Sequence, residues 1–331
     1  MTWFEELTGF QETRPEQVRR NLIVDGTTLI SKANGRTMTW GRLEMPTLAE
    51  LRQRARACKT ASGKLTVRER VADVQSLHKD QANAGALFQV ASQFNLLEMT
   101  SPSISPEQGV DRYENDPTQG PSCAIAAGAG TIYRNYFALV NGQPGQTADR
   151  QIDCLADLGN ALGNENNRLW QMQNGYALPS ESGLREIASK LQALDEEERD
   201  TLRQLLRIGI QWDTQVTLGN CSHLVSQAYC SALPVSYAGH PPELWQPFAR
   251  LVLEAAYEAT LWAAVLNHEQ TGCKQVYLTL LGGGAFGNQT TWIMDSAERA
   301  LTICKNCNLE AVIVSYRVSK MQVRQLAAQF F

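Results

Sequence analysis

From residue 67 onward, short apolar runs alternate with stretches whose apolar residues recur every three or four positions, the pattern of strands followed by helices. Residues 87–94 (L-F-Q-V-A-S-Q-F) predict a strand that stops at Asn95. Residues 214–217 and 223–233 predict two more, the second stopping at Pro234. Over 243–266, Leu244, Phe248, Leu251, Val252, Ala255, Leu261, Ala264 and Val265 share one wide apolar face of a long helix. The run V-Y-L-T-L-L at 276–281 leaves no polar alternation for a wet side, so it predicts a central strand buried on both faces. That run breaks into Gly282, Gly283 and Gly284, and a helix follows through Trp292, Ala297, Leu301 and Cys304. The last strand, 311–315, ends at Tyr316.

Residues 1–65 have another texture. A short helix at 3–10, strands at 22–24, 28–31 and 36–42 around Asp25-Gly26 and Asn34-Gly35 turns, and a helix opened by Pro46 describe a small α+β lobe. Residues 66–331 are then one α/β domain with an insertion over about 141–212. The insertion is polar but carries Trp170, Met172 and Tyr176, so it packs over the domain instead of floating; helices are expected at 154–162, 182–194 and 196–208. Between the strand ending at Asn95 and a helix of small residues at 123–136 lies a loop, 98–122, rich in Pro, Gly and acids. Loops of that length inside a compact domain usually carry function.

Composition narrows the choices. An apolar content of 43% in 331 residues is ample for a core. With 30 basic and 34 acidic side chains the net charge is -4, so no global field draws the chain to nucleic acid or anionic lipid, and phosphate binding has to be local. No apolar run reaches the length of a membrane span, and the start M-T-W-F-E-E-L lacks the layout of a signal peptide, so the expected location is cytoplasmic. Eight Cys are too dilute for a disulfide scaffold. Cys304 and Cys307 form a C-x-x-C with no second pair or nearby His, so neither metal nor cofactor is expected.

The glycines after the central strand bear the chemistry. Without Cβ atoms they let a backbone approach a ligand and expose N–H groups, and the helix beyond adds partial positive charge, which together make an anion cradle. No Lys follows, as in G-x-x-x-x-G-K-S/T, and the spacing of G-x-G-x-x-G is missing, which disfavours an ordinary nucleotide triphosphatase or dinucleotide oxidoreductase. The run G-G-G-A-F-G-N at 282–288 resembles the second phosphate loop of macrodomains, above all their bacterial poly(ADP-ribose) glycohydrolase branch. Ala72-Asp73-Val74 before the 87–94 strand is similar to the macrodomain opening, and S-A-L-P-V at 231–235 resembles the small-residue and Pro segment of the same branch.

This resemblance implies a three-layer α/β macrodomain-like fold with a mixed central sheet, an amino-terminal α+β lobe and a helical insertion. It implies ADP-ribose with its diphosphate on Gly282, Gly283, Gly284, Ala285, Phe286, Gly287 and Asn288, its distal ribose at Asn95, and its adenine stacked on Tyr316. The glycohydrolase signature of three glycines followed by Q-E-E is absent, and Glu107, Asp111, Glu114, Asp116 and Gln119 stand on the loop in its place. Cleaving a glycosidic bond to ribose needs one group that protonates the leaving atom and one that orients water. Asp111, Glu114 and Asp116, nearest the helix, are the expected catalytic acids, and Gln119 an expected ligand contact. The implied activity is hydrolytic removal of ADP-ribosyl groups from a modified macromolecule; the alternative, favoured by the missing signature, is a non-catalytic reader of ADP-ribose or a nucleotide derivative. A cysteine hydrolase built on Cys123, with Gln119 four residues earlier, is a third reading without a readable His partner.

Overall fold

The computed structural model describes residues 1–59, 62–219 and 221–330. Seven strands form one mixed sheet in the spatial order Arg42–Glu44, Gly209–Gln215, Leu224–Cys230, Leu87–Ala91, Gln275–Leu278, Glu310–Ser315 and Thr66–Val71. The last five run parallel, and the first two run antiparallel to their neighbours. Side chains of the middle strand alternate between two helical layers, as the pleat requires. Phe88 stacks on His78 of the Val74–Lys79 helix at 3.8 Å. Gln89 points the other way and donates to Thr260 Oγ1 of the Pro242–Thr271 helix at 2.9 Å. The neighbouring strand repeats this, with Gln227 donating to the Cys123 carbonyl and the Cys230 thiol beside Thr260. Helices on both faces of one sheet make three layers.

Several boundaries differ from expectation for identifiable reasons. The helix expected over 123–136 is two, Gln119–Ala126 and Gly128–Tyr136, broken at Ala127. A Cβ on Gly128 would lie 2.7 Å from both Leu7 and Trp3, so the amino-terminal helix Trp3–Thr8 is seated on the break. The third insertion helix stops at Arg203, and the chain enters the sheet at Gly209, earlier than the 214–217 strand expected. Thr66–Val71 is an edge strand in which Val67 alone is buried, which leaves little apolar periodicity to read.

The amino-terminal segment is tied into the body. Arg42–Glu44 pairs with Gly209–Gln215, and the Leu48–Arg56 helix packs on the long Pro242–Thr271 helix. Earlier residues form a three-stranded sheet with a core of Phe4, Leu7, Val18, Leu29 and Met38. That core continues into Leu97, Met99, Val110 and Tyr113, so this lobe packs against the long loop. The insertion contributes a hairpin, Trp170–Gln173 with Tyr176–Pro179, before its helices. No helix among the described residues is long and apolar enough to cross a membrane.

Candidate functional site

Ligands of open α/β sheets gather beyond the carboxyl ends of the parallel strands. Here a cleft of two compartments runs over those ends. The outer one, a cavity of about 500 Å³, is bounded by Asp73, Gln119, Gly284, Tyr316, Arg317 and Lys320. The inner one, about 130 Å³, is bounded by Gln93, Glu98, Asp116, Tyr176, Gly282 and Phe286. Thr118, Gln119, Thr279, Leu280 and Gly284 border both, so the compartments adjoin at the glycine loop.

The loop's residues divide into those that shape it and those that face the cleft. Gly282 and Gly287 are left-handed, with φ of 72° and 71°. A Cβ on Gly282 would meet Ala232 at 2.5 Å, and one on Gly287 would meet Ser236 Oγ at 1.9 Å. Asn288 closes the turn, its amide donating to the Gly282 carbonyl at 2.9 Å and its Nδ2 to the Leu233 carbonyl at 2.8 Å. Gly283 is packed too, since a Cβ there would lie 3.0 Å from Ile293. Gly284 alone among these glycines has nothing within 4 Å of a Cβ. Among the described residues, the amides of Gly284, Ala285 and Phe286 donate no hydrogen bond. The Thr290–Ile303 helix begins just beyond without a side-chain cap, and Thr290 lines the outer compartment. Unsatisfied loop amides beside a helix start suit an anion.

Tyr316 is 54% exposed on the outer compartment, with the Arg317 guanidinium 4.9 Å from its ring centroid. Its turn is held by Glu69, which accepts from Ser315 Oγ at 2.6 Å and from the Lys320 amide at 2.8 Å. Gln119 uses its side chain as a strand would, accepting from the Ala91 amide and donating to the Gln89 carbonyl, each at 2.8 Å. Asp116 reaches the inner compartment and accepts from the Thr118 amide at 2.9 Å.

Within the glycine loop Gly287 and Asn288 line neither compartment, and outside it three expected residues are not brought to the cleft. Asn95 is fully buried, donates to Gln151 Oε1 at 2.8 Å and accepts from the Leu97 amide at 3.1 Å. The strand ends at Ala91, so the chain has already turned when it reaches Asn95. Asp111 and Glu114 lie on the 3-10 turn Asp111–Asn115, which faces the amino-terminal lobe. Glu12 accepts the Asp111 amide at 2.7 Å, and Glu114 accepts the Trp3 amide at 3.1 Å. Cys123 is buried, and burial first, then the nearby Glu98 and Asp73 carboxylates, push its thiol well above the usual range. A thiol so hard to ionise is not an activated nucleophile. Among the described residues no cluster of His, Cys, Asp and Glu could hold a metal ion.

Glu98, the first residue of the long loop, also lines the cleft, though no sequence motif marks it. It is 2% exposed, lines the inner compartment, and neither carboxyl oxygen has a hydrogen-bond partner among the described residues. Arg134 Nη2 lies 3.5 Å from Oε1, and the Glu98 amide donates to the Tyr113 hydroxyl at 3.0 Å. Burial pushes the carboxyl up to about 8, against the opposing pull of Arg134 and Tyr113. Its one sequence signal is a lone acid inside the apolar run L-L-E-M. The insertion also reaches the cleft: the Tyr176 ring packs 5.4 Å from Phe286, lining the inner compartment, and its hydroxyl donates to the Met99 carbonyl at 2.5 Å.

The chain matches no protein-family model and no curated protein sequence. Among solved structures it is similar to poly(ADP-ribose) glycohydrolase from Deinococcus radiodurans in complex with ADP-ribose, at 10% identity and a TM-score of 0.46 over 86% of this chain and 92% of that one. It is similar to the enzyme from Thermomonospora curvata at 11% identity and a TM-score of 0.45 over 96% of each chain. The latter enzyme bound to the inhibitor ADP-HPD gives 10% identity and a TM-score of 0.44 over the same share of each chain.

Proposed function

We propose that the cleft binds ADP-ribose and that the protein hydrolyses an ADP-ribosyl linkage to a modified macromolecule. One observation carries this reading: a loop of unsatisfied amides lies where a larger compartment flanked by an exposed tyrosine meets a smaller one lined by a buried carboxyl that has no hydrogen bond. Adenosine, diphosphate and ribose follow one another in the same order. Backbone amides and a helix start serve the diphosphate without a lysine, which agrees with the motif's lack of one. The reader alternative is favoured by the missing signature and by Asp111 and Glu114 facing the lobe. The hydrolase is favoured by Glu98, because a buried carboxyl without hydrogen bonds is destabilising and binding alone does not call for it. Eight cysteines without disulfides accord with a cytoplasmic location.

Turnover separates the two readings. Free ADP-ribose released from mono- and poly-ADP-ribosylated proteins, timed at increasing protein concentration, rises in proportion if the protein is a hydrolase. Saturable ADP-ribose binding with no release from any linkage makes it a reader. Tyr316→Ala should weaken ADP-ribose by about 1–3 kcal/mol, the range for base–aromatic stacking, while sparing ribose 5-phosphate. Equal weakening of both ligands would mean that Tyr316 holds the fold instead of a base.

A further inference from the structure

Resting on the hydrolase reading, we propose that Glu98 is the catalytic acid of this cleft, supplied by the strand exit and not by the acids nearer the helix. Its place is fixed by the backbone around it. A Cβ on Gly120, in the first turn of the Gln119–Ala126 helix, would lie 2.0 Å from the Ala91 carbonyl and 3.1 Å from Glu98 Cγ. The helix start therefore rests directly on the strand exit, and the Glu98 side chain packs against the place where a longer residue at 120 would project. Gln119 locks this contact through its two bonds to the middle strand.

The groups facing Glu98 come from every element packed on it. Arg134 stands at 3.5 Å and is itself stacked over the Tyr229 ring, its Cζ 3.6 Å from the centroid. Tyr113 presents its hydroxyl from the 3-10 turn, the Cys123 thiol lies near on the helix, and Asp116 lies at the same compartment. Arg134 is held independently of Glu98 by bonds to the Leu96 carbonyl at 3.0 Å and to Thr131 Oγ1 at 3.2 Å. Asp116 is only half-buried and already accepts a backbone amide, so Glu98 is the better proton donor of the two.

In the proposed step, the Glu98 proton passes to the oxygen leaving the anomeric carbon of the distal ribose as that C–O bond breaks. A water oxygen bonds to the same carbon, and a proton of that water returns to the Glu98 carboxylate. The products are the freed hydroxyl and ADP-ribose, with one water consumed. Burial keeps Glu98 protonated at neutral pH, which this step requires.

The test compares wild type with Glu98→Gln on ADP-ribosylated protein and, by calorimetry, on ADP-ribose. Release slowed by about 10²- to 10⁴-fold with ADP-ribose affinity kept within about threefold supports the assignment. Release retained at the wild-type rate overturns it while leaving the hydrolase reading intact. If wild type itself releases nothing, the hydrolase reading fails and this assignment fails with it. Should the variant not fold, the wild-type pH profile decides: loss of rate as pH rises through about 8 supports Glu98 as acid, and a flat profile across that range overturns it.

Discussion

Replacing Gly284 by valine is expected to weaken ADP-ribose binding by about 10²- to 10⁴-fold without unfolding the protein. The size follows from losing two hydrogen bonds to a charged diphosphate, each worth about 1.5–3 kcal/mol, at about 1.4 kcal/mol per tenfold in affinity. Gly284 is the position to change because a Cβ there meets nothing within 4 Å and the residue borders both compartments. Its φ is not left-handed, so a side chain costs the backbone little. The same substitution at Gly287 would drive a Cβ to within 1.9 Å of Ser236 Oγ and would report on folding instead. Calorimetry and a thermal melt on Gly284→Val give both readouts. Unchanged affinity in a folded variant would remove the diphosphate from this loop.

Glu258→Ala is expected to lower the stability of the fold by about 3–5 kcal/mol, the range for breaking a buried ion pair by deleting one partner. Glu258 is fully buried, accepts from Arg52 Nε at 2.5 Å and from Arg299 Nη1 at 2.8 Å, and also takes the Trp262 indole N–H at 3.0 Å. Asp200 accepts from both arginines, so four helices meet at one charge cluster. Burial pushes the Glu258 carboxyl up, but bonds from Arg52, Trp262 and Arg299 more than offset it, and the folded value lies below the ordinary 4.5. The folded state thus holds this proton more weakly than the unfolded chain. Its stabilisation is fully present above 4.5 and is lost as pH falls through the lower folded value. Denaturant unfolding of wild type and variant between pH 3 and 7 should show the gap between them narrowing at the acid end; a constant gap would mean that packing, not charge, explains the loss.

Features written in backbone chemistry could be read from residues alone. G-G-G-A-F-G-N announces a loop that needs close approach and left-handed turns, and Tyr316 follows directly on a strand whose direction the pattern gives. Where a side chain points after a turn could not be read that way. Asp111 and Glu114 are oriented by Glu12 and Trp3, residues about a hundred positions away in the chain. Asn95 lies beyond a strand that is three residues shorter than its apolar run, since the strand ends at Ala91 and the run at Phe94. Glu98 draws its character from Arg134, Tyr113 and Gly120, three neighbours assembled only by folding. The Thr66–Val71 strand is not legible in the sequence because a polar edge position leaves one buried residue to mark it.

The proposed role of the cleft is tested most directly by one titration: ADP-ribose, AMP and ribose 5-phosphate, each measured by calorimetry against the wild-type protein. That role predicts a single ADP-ribose site that is tighter than either fragment, because only the whole ligand spans the Tyr316 compartment, the loop amides and the inner cavity. An absence of ADP-ribose binding, or an affinity no greater than that of AMP, would contradict it.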